Sequence, residues 1–144
     1  MSYTIDANIL LYASDESSPL HARARAFVQR LADGREIAYL FWPTVMAYLR
    51  MATHPAVFAR PLTGVEAIGN VEQLLVRPHV RTTGEQEHFW ARFREVADDA
   101  MPAGNLVPDA HLVALMLEND VGTIWTRDRD YRRFTRIEVR DPFA

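Results

Sequence analysis

Four aspartates of the chain lie next to apolar segments. Asp6 directly follows an apolar stretch at the N-terminus, Asp109 opens an apolar helical pattern, and Asp128 and Asp130 follow another apolar run. Burying an unpaired carboxylate costs several kcal/mol, so such groups are usually paired, hydrogen-bonded or bound to a cation. The spacing therefore suggests that these acids, distant in sequence, converge on one site.

The chemistry open to such a site is narrow. The chain has no cysteine, which excludes thiolate zinc sites and cysteine nucleophiles, and its five histidines show no ligand spacing. Several carboxylates in one crevice repel one another unless a divalent cation lies between them, and ligation by oxygen alone favours Mg²⁺ or Mn²⁺. Such an ion keeps coordination positions for water and phosphate oxygens, as phosphodiester hydrolysis requires.

Each acid also has a simpler explanation. Asp6 suits the N-cap of a following helix, as does Asn8 for its own loop. Asp109 in a first helical turn complements the helix dipole, and Asp128 and Asp130 could be turn residues paired with neighbouring arginines. The order of the three acidic places in the chain, rather than any one of them, indicates a shared site.

Composition sets the wider limits. At 144 residues we expect one domain, residues 1–144, with its own core. No apolar run is long enough to span a membrane and no signal-peptide pattern is present, so we expect a cytoplasmic protein. A net charge of −3 argues against a protein that coats nucleic acid. All 16 basic residues are arginine, and the absence of lysine argues against phosphotransfer on Asp6.

Apolar periodicity alternates between strand and helix along the chain. Strands are predicted at 2–5, 37–41, 79–82, 123–126 and 137–139. Helices are predicted from Pro19 to Gly34, from Pro43 to about 53, from Thr63, after a capping pattern at 83–86, and from Asp109 to about 119, with a loop at 98–108. This alternation predicts an α/β fold, a three-layer α/β/α sandwich with a mostly parallel central sheet.

The fold class indicates where the acids would meet. In open α/β sheets, sites form beyond the carboxyl ends of the strands, near the point where strand order reverses. If strands 2–5 and 123–126 are neighbours, Asp6, Asp109 and Asp128 point into one crevice.

The acidic places and their surroundings resemble the PIN-domain ribonucleases, in particular the VapC-type toxins of bacterial toxin–antitoxin pairs. The matching stretches are Ile5-Asp6-Ala7-Asn8-Ile9-Leu10, Asp109-Ala110-His111-Leu112-Val113-Ala114-Leu115, Thr126-Arg127-Asp128-Arg129-Asp130-Tyr131 and Asp141-Pro142. The stretch from Trp42-Pro43 to His54-Pro55 resembles one subgroup of these toxins. Together the matches span almost the whole chain.

The resemblance implies a single PIN-like nuclease domain. Its activity would be that of an Mg²⁺- or Mn²⁺-dependent endoribonuclease, a hydrolase that cuts RNA with metal-activated water to leave a 5′-phosphate and a 3′-hydroxyl. Asp6, Asp109 and Asp128 match the family's catalytic, metal-binding acids, and Asp130 is a candidate fourth metal ligand.

The resemblance also implies supporting residues and partners. Asn8 matches the polar residue beside the first acid, Thr126 matches a supporting hydroxyl, and Arg50, expected at the crevice end of its helix, is a candidate contact for substrate phosphate. The substrate would be RNA of the tRNA or rRNA class. The implied protein partners are a second copy of the chain in a homodimer and a VapB-like antitoxin, whose tail covers the active site with an arginine paired to the acids.

One position departs from the family pattern. The family usually carries a glutamate in the helix after the second strand, where this chain has Ala47. A missing carboxylate would weaken metal binding, so the alternative hypothesis is a catalytically weakened PIN-like module that binds RNA or antitoxin. Asp98 and Asp99 are interpreted as ordinary loop acids rather than replacements.

Overall fold

Strands and helices alternate along the chain as the sequence predicts. The computed structural model describes all residues from 1 to 144. The strands are β1 (Ser2–Ile5), β2 (Ile37–Phe41), β3 (Val80–Thr83), β4 (Thr123–Trp125) and β5 (Glu138–Arg140). The helices are α1 (Ala7–Ser14), α2 (His21–Asp33), α3 (Trp42–Ala52), α4 (Gly64–Leu75), α5 (Phe89–Ala100) and α6 (Leu106–Glu118). A 3-10 turn, Arg129–Arg133, follows β4.

The strands form one sheet in the order β3-β2-β1-β4-β5, and every neighbouring pair is parallel. The expected sheet is therefore present and is wholly parallel. Strand order reverses at β1. The chain adds β2 and β3 on one side of β1, and then adds β4 and β5 on its other side. Ile5 lies opposite Trp125 in this pairing. The carboxyl ends of β1 and β4 thus meet at the switch point where α/β sheets form their sites.

Helices cover both faces of the sheet, which confirms the three-layer sandwich. One core lies under α1 to α4 and includes Tyr48 and Val71, and the other lies under α5 and α6 and includes Val96 and Leu115. Side chains of a parallel sheet are buried on both faces, which explains the nearly continuous apolar character of β2. None of the helices combines the length and the apolar character needed to cross a bilayer.

Helix starts are the least accurate part of the sequence interpretation. The capping box of α4 is present, with Thr63 and Glu66 bonded reciprocally. By contrast, α2 begins at His21 rather than Pro19, because Oγ of Ser18 accepts from the N–H of Leu20 in a preceding turn.

The pattern at 83–86 is not a capping box. The N–H of Gln86 donates to Oε1 of Glu118 over 3.0 Å and that of His88 to Oε2 over 2.9 Å. Helix α5 then begins only at Phe89. A carboxylate more than two dozen residues away therefore serves the segment before α5 in place of a local side chain.

The predicted loop at 98–108 is wrong at both of its ends. Helix α5 runs to Ala100 and α6 begins at Leu106, so Asp98 and Asp99 are helical. Asp98 pairs with Arg94, and Asp99 pairs with Arg136 over 2.5 Å, so both acids have arginine partners. They remain excluded as replacements for the missing glutamate.

The outward faces of two helices also differ from the predicted stripes. Apolar spacing predicts inward positions for Val65 and Ile68 of α4 and Trp90 of α5, but these residues are 83%, 49% and 65% exposed. The buried positions nearby are Ala67 and Val96. Ala67, one residue before Ile68, and Val96, six residues after Trp90, fill the core instead.

We expect Glu118→Ala to lower the free energy of unfolding by about 1 kcal/mol, because two backbone N–H groups lose a charged acceptor that water only partly replaces. Chemical denaturation measures the change. Glu72→Ala is the control, since Glu72 is exposed on α4 and its side chain makes no ion pair or hydrogen bond. Equal stability of the two variants would contradict this role for Glu118.

Candidate functional site

Asp6 lies at the switch point, between the end of β1 and the start of α1. Its backbone N–H donates to the carbonyl oxygen of Trp125 over 3.0 Å, which continues the β1–β4 pairing by one residue. Its side chain makes no capping hydrogen bond to α1. Instead, Oδ2 accepts a 2.8 Å hydrogen bond from Oγ1 of Thr126. The carboxylate therefore has its main hydrogen bond with a distant residue, while the nearby N–H groups of Ala7 and Asn8 help to lower its pKa.

Thr126 joins the first acid to the turn that carries the next two. Its side chain is buried, and Oγ1 both donates to Asp6 and accepts the N–H of Asp128 over 2.9 Å. Oδ1 of Asp128 accepts the N–H of Asp130 over 2.9 Å. Because a hydroxyl has one donor and two acceptor positions, a single threonine can fix both the Asp6 carboxylate and the start of the turn.

Three of the four predicted acids meet directly. Carboxylate oxygens of Asp109, Asp128 and Asp130 lie within 4.8 Å of one another. Asp109 comes from the first turn of α6, and the other two come from the segment after β4. Asp6 is outside this group of three, but its charge acts on Asp109. The fold thus gathers carboxylates from β1, α6 and the β4–β5 connection at one edge of the sheet.

The acids carry uncompensated negative charge. None of Asp6, Asp109, Asp128 and Asp130 forms an ion pair within the 4.0 Å that defines one. Burial raises the pKa of Asp6, and the hydrogen bond from Thr126 opposes part of that rise. Burial and the charge of Asp128 raise the pKa of Asp109 to about 6. The alternative in which Asp128 and Asp130 pair with neighbouring arginines is therefore wrong.

Tyr131 is a site residue that the sequence interpretation missed. The residue is 3% exposed, and its hydroxyl lies beside Asp109, where it lowers the pKa of that carboxyl. Burial and the surrounding acids raise the pKa of Tyr131 well above its usual range, so the hydroxyl stays a neutral donor. The only signal in the sequence is its place directly after Asp130, which does not reveal that a 3-10 turn directs it inward.

Asn8 lies in the first turn of α1, two residues after Asp6. Its Oδ1 atom is buried and has no hydrogen-bond donor in the protein. A buried amide oxygen without a donor is uncommon and calls for a partner outside the chain. This observation is compatible with the supporting role predicted for Asn8.

Arg50 is not at the crevice end of its helix. Helix α3 starts at Trp42, directly after the carboxyl end of β2, and Arg50 is exposed in the last turn, roughly 12 Å further along the helix. It forms no ion pair. The helix runs away from the strand end where it begins, which a motif match cannot show. Ala47 is half-buried on the same helix, so α3 supplies no carboxylate from the predicted position.

The donor set fits a hard divalent cation. The ligands are carboxylate oxygens only, with no thiolate in the chain, and they lie close together without an internal counter-charge. Mg²⁺ and Mn²⁺ prefer such ligands, and a cation between the acids would offset both the burial and the repulsion that raise the pKa of Asp109.

Comparison with known proteins finds a matching family and similar curated proteins. Residues 3–137 match the family described as PIN domain. The chain is 48% identical over 144 residues to Ribonuclease VapC48 of Mycobacterium tuberculosis, covering 100% of this chain and 99% of that one. It is 34% identical over 138 residues to VapC ribonuclease Mb2897 of Mycobacterium bovis, covering 96% and 93% of the two chains.

Solved structures share the fold at low sequence identity. VapBC2 from Rickettsia felis, bound to a DNA fragment from its promoter, superposes with a TM-score of 0.70 at 12% identity, covering 98% of each chain. The sarcin–ricin loop cleaving toxin VapC20 of Mycobacterium tuberculosis superposes with a TM-score of 0.66 at 13% identity, covering 96% of this chain and 98% of that one. These likenesses support the three-layer architecture.

The raised pKa of Asp109 predicts a pH-dependent stability. The folded protein keeps this proton up to about pH 6, whereas an unfolded aspartate releases it near about pH 4. The contribution of Asp109 is therefore complete below about pH 4 and is lost as pH rises through about 6. With metal ions removed by a chelator, we expect the free energy of unfolding of Asp109→Asn to fall less as the pH rises. At pH 7 this variant should be about 1 kcal/mol more stable than the parent, after allowance for solvent screening.

Thermal unfolding between about pH 4 and pH 7.5 measures both effects. Asp120→Asn is the matched control, because Asp120 is an exposed aspartate beyond the other end of α6. If Asp109→Asn kept the parent's pH profile, the pKa of Asp109 would not be raised in the folded protein.

Proposed function

Because the chain belongs to the PIN-domain family, we propose that it is a ribonuclease of the VapC type, a divalent-metal-dependent endoribonuclease and the toxin of a toxin–antitoxin pair. The observation that carries the proposal is the group of three carboxylates within 4.8 Å, beside an Asp6 held by Thr126. The full-length relatives at 48% and 34% identity that are named ribonucleases support the same activity.

Each residue has a part in this proposal. Asp109, Asp128 and Asp130 would hold the ion directly, with Asp6 as the further acid at the crevice. An Mg²⁺ or Mn²⁺ ion there would lower the pKa of water and offset the charge that develops on the phosphate. Thr126 orients the Asp6 carboxylate, and Tyr131 keeps a neutral donor on Asp109. Asn8 offers its unpaired amide oxygen near the same edge.

The substrate under this proposal is RNA, cut to leave a 5′-phosphate and a 3′-hydroxyl. Support comes from the ribonuclease names of the relatives, and a structured RNA of the tRNA or rRNA class is the expected target. Arg50 remains a candidate phosphate contact. Because it lies at the far end of α3, it would contact RNA away from the scissile bond.

The proposed protein partner is a VapB-like antitoxin. Its support within the structure is that none of the four site acids is paired with an arginine of the chain, although arginines flank two of them in sequence. A guanidinium group on an antitoxin tail could therefore pair with these acids and block both metal and RNA. A homodimer is part of the same proposal.

Mutation of the acids tests the nuclease. We expect Asp6→Asn and Asp109→Asn each to lower the rate of RNA cleavage with Mg²⁺ or Mn²⁺ on the order of 100-fold or more, because each removes a charged group from the proposed site. Cleavage ends are mapped by primer extension on total RNA. Asp33→Asn and Asp120→Asn are the controls, because both aspartates are exposed and lie outside the site.

The outcome can contradict the proposal in two ways. The nuclease assignment fails if the parent protein cuts no RNA with either ion. The site assignment fails if the parent cuts and the two site variants remain as active as the controls. Unfolding midpoints of all four variants show whether a loss of activity comes from misfolding.

A metal titration separates the enzyme from the weakened module suggested by Ala47. We expect calorimetry with Mn²⁺ to show binding by the parent protein and weaker or no binding by Asp109→Asn, because that variant loses a ligand and its charge. Asp120→Asn should bind as the parent does. If RNA binds while no divalent ion binds to the parent, the weakened module is the better description.

A further inference from the structure

The 3-10 turn after β4 separates its apolar side chains from its charged ones. A 3-10 turn has three residues per turn, so residues three apart lie on the same side. Tyr131 and Phe134 share the inner side, where each is 3% exposed and their ring centroids lie 6.2 Å apart. Asp130 and Arg133 share a second side, and Arg129 and Arg132 share the third.

The arginines of this segment are free of carboxylate partners. Arg127, Arg129, Arg132 and Arg133 are all exposed, and none of them forms an ion pair. The acids between these arginines contact other groups. Asp128 and Asp130 lie close to Asp109, and Asp128 also accepts a backbone N–H.

The remaining arginines of the C-terminal region behave differently. Arg136 pairs with Asp99 and Glu95, and Arg140 pairs with Glu138. A high local density of arginine therefore does not by itself leave the guanidinium groups unpaired. The turn is distinct because its arginines form no ion pair, although acids lie beside them in sequence.

We propose that Arg129, Arg132 and Arg133 bind RNA phosphates next to the phosphate that is cut, and so set the position of the strand over the acids. This inference rests on the proposed function. Arg133 shares its side with Asp130 and lies one turn, about 6 Å, further along the axis, which places its long side chain beside the acidic group. The guanidinium fork suits phosphate oxygens and holds its charge at any working pH.

The charge arrangement favours RNA over a protein tail as the occupant of these arginines. An antitoxin arginine would be attracted by the acids but repelled by Arg129, Arg132 and Arg133. An RNA strand meets both groups favourably, since its phosphates contact the guanidiniums and its scissile phosphate joins a cation held by the acids.

Salt-dependent binding tests the proposal without relying on cleavage. The probe is fluorescein-labelled oligouridine, and its binding affinity is measured by fluorescence anisotropy. All proteins carry Asp109→Asn, so that the result does not depend on cleavage. Arg129→Gln, Arg132→Gln and Arg133→Gln are each added singly to this background. Each lost phosphate contact should reduce the slope of log K against log salt by about 0.7. The ratio of affinities at about 50 and about 200 mM salt should then fall by about two- to threefold for each variant.

Control variants keep the inference falsifiable. Arg35→Gln and Arg60→Gln remove exposed, unpaired arginines from other loops and should leave the slope unchanged. Arg133→Lys should keep the slope because it keeps the charge, while losing part of the affinity because it loses the fork. Unchanged slopes in all three turn variants, or equal losses in the two controls, would overturn the proposal.

Two further readouts separate the possible failures. Oligoglutamate bound as tightly as oligouridine, with the same dependence on the three arginines, would overturn RNA as the occupant. Cleavage by the otherwise unmutated protein decides the proposed function separately: the turn variants should lower kcat/KM, whereas the two control variants should keep it within about twofold of the parent. Absence of cleavage would contradict the nuclease assignment. The slopes of log K against log salt would still decide whether the arginines bind RNA.

Discussion

The parallel pairing of β1 with β4 is the constraint on which the site depends. It places the residue after β1 beside the residue after β4, so that the Asp6 backbone bonds Trp125 and its carboxylate bonds Thr126. Thr126 then holds the N–H of Asp128. A change of register by one residue would turn these side chains to the other face of the sheet and separate the carboxylates.

This arrangement concentrates negative charge at one edge of the sheet. Asp6 and Asp109 both have raised pKa values because they are partly buried near other acids, and the chain supplies no cation to them. Tyr131 and Thr126 supply hydroxyl donors, which moderate the repulsion without cancelling it. Charge left unneutralised in the folded chain is typical of a site that takes its cation from solution.

Local patterns and tertiary packing differ most at helix ends. The capping box at Thr63 was predicted from spacing because both of its partners lie within one turn. The start of α5 could not be predicted in this way, since its acceptor is Glu118, on another helix. The inward face of α5 also depends on its tertiary neighbours. Trp90 is 65% exposed, whereas Val96 is buried in one cluster with residues of α6.

The sequence by itself determined the α/β class and the parallel sheet and singled out the four acids as candidates, because apolar periodicity and a carboxylate after a buried strand are local signals. Tertiary structure decided which acids meet, since Asp109 joins Asp128 and Asp130 only through the packing of α6. It also decided the inward position of Tyr131, the distance of Arg50 from the crevice and the unpaired state of the turn arginines. Those properties depend on the directions of side chains from separate elements, which a one-dimensional pattern does not contain.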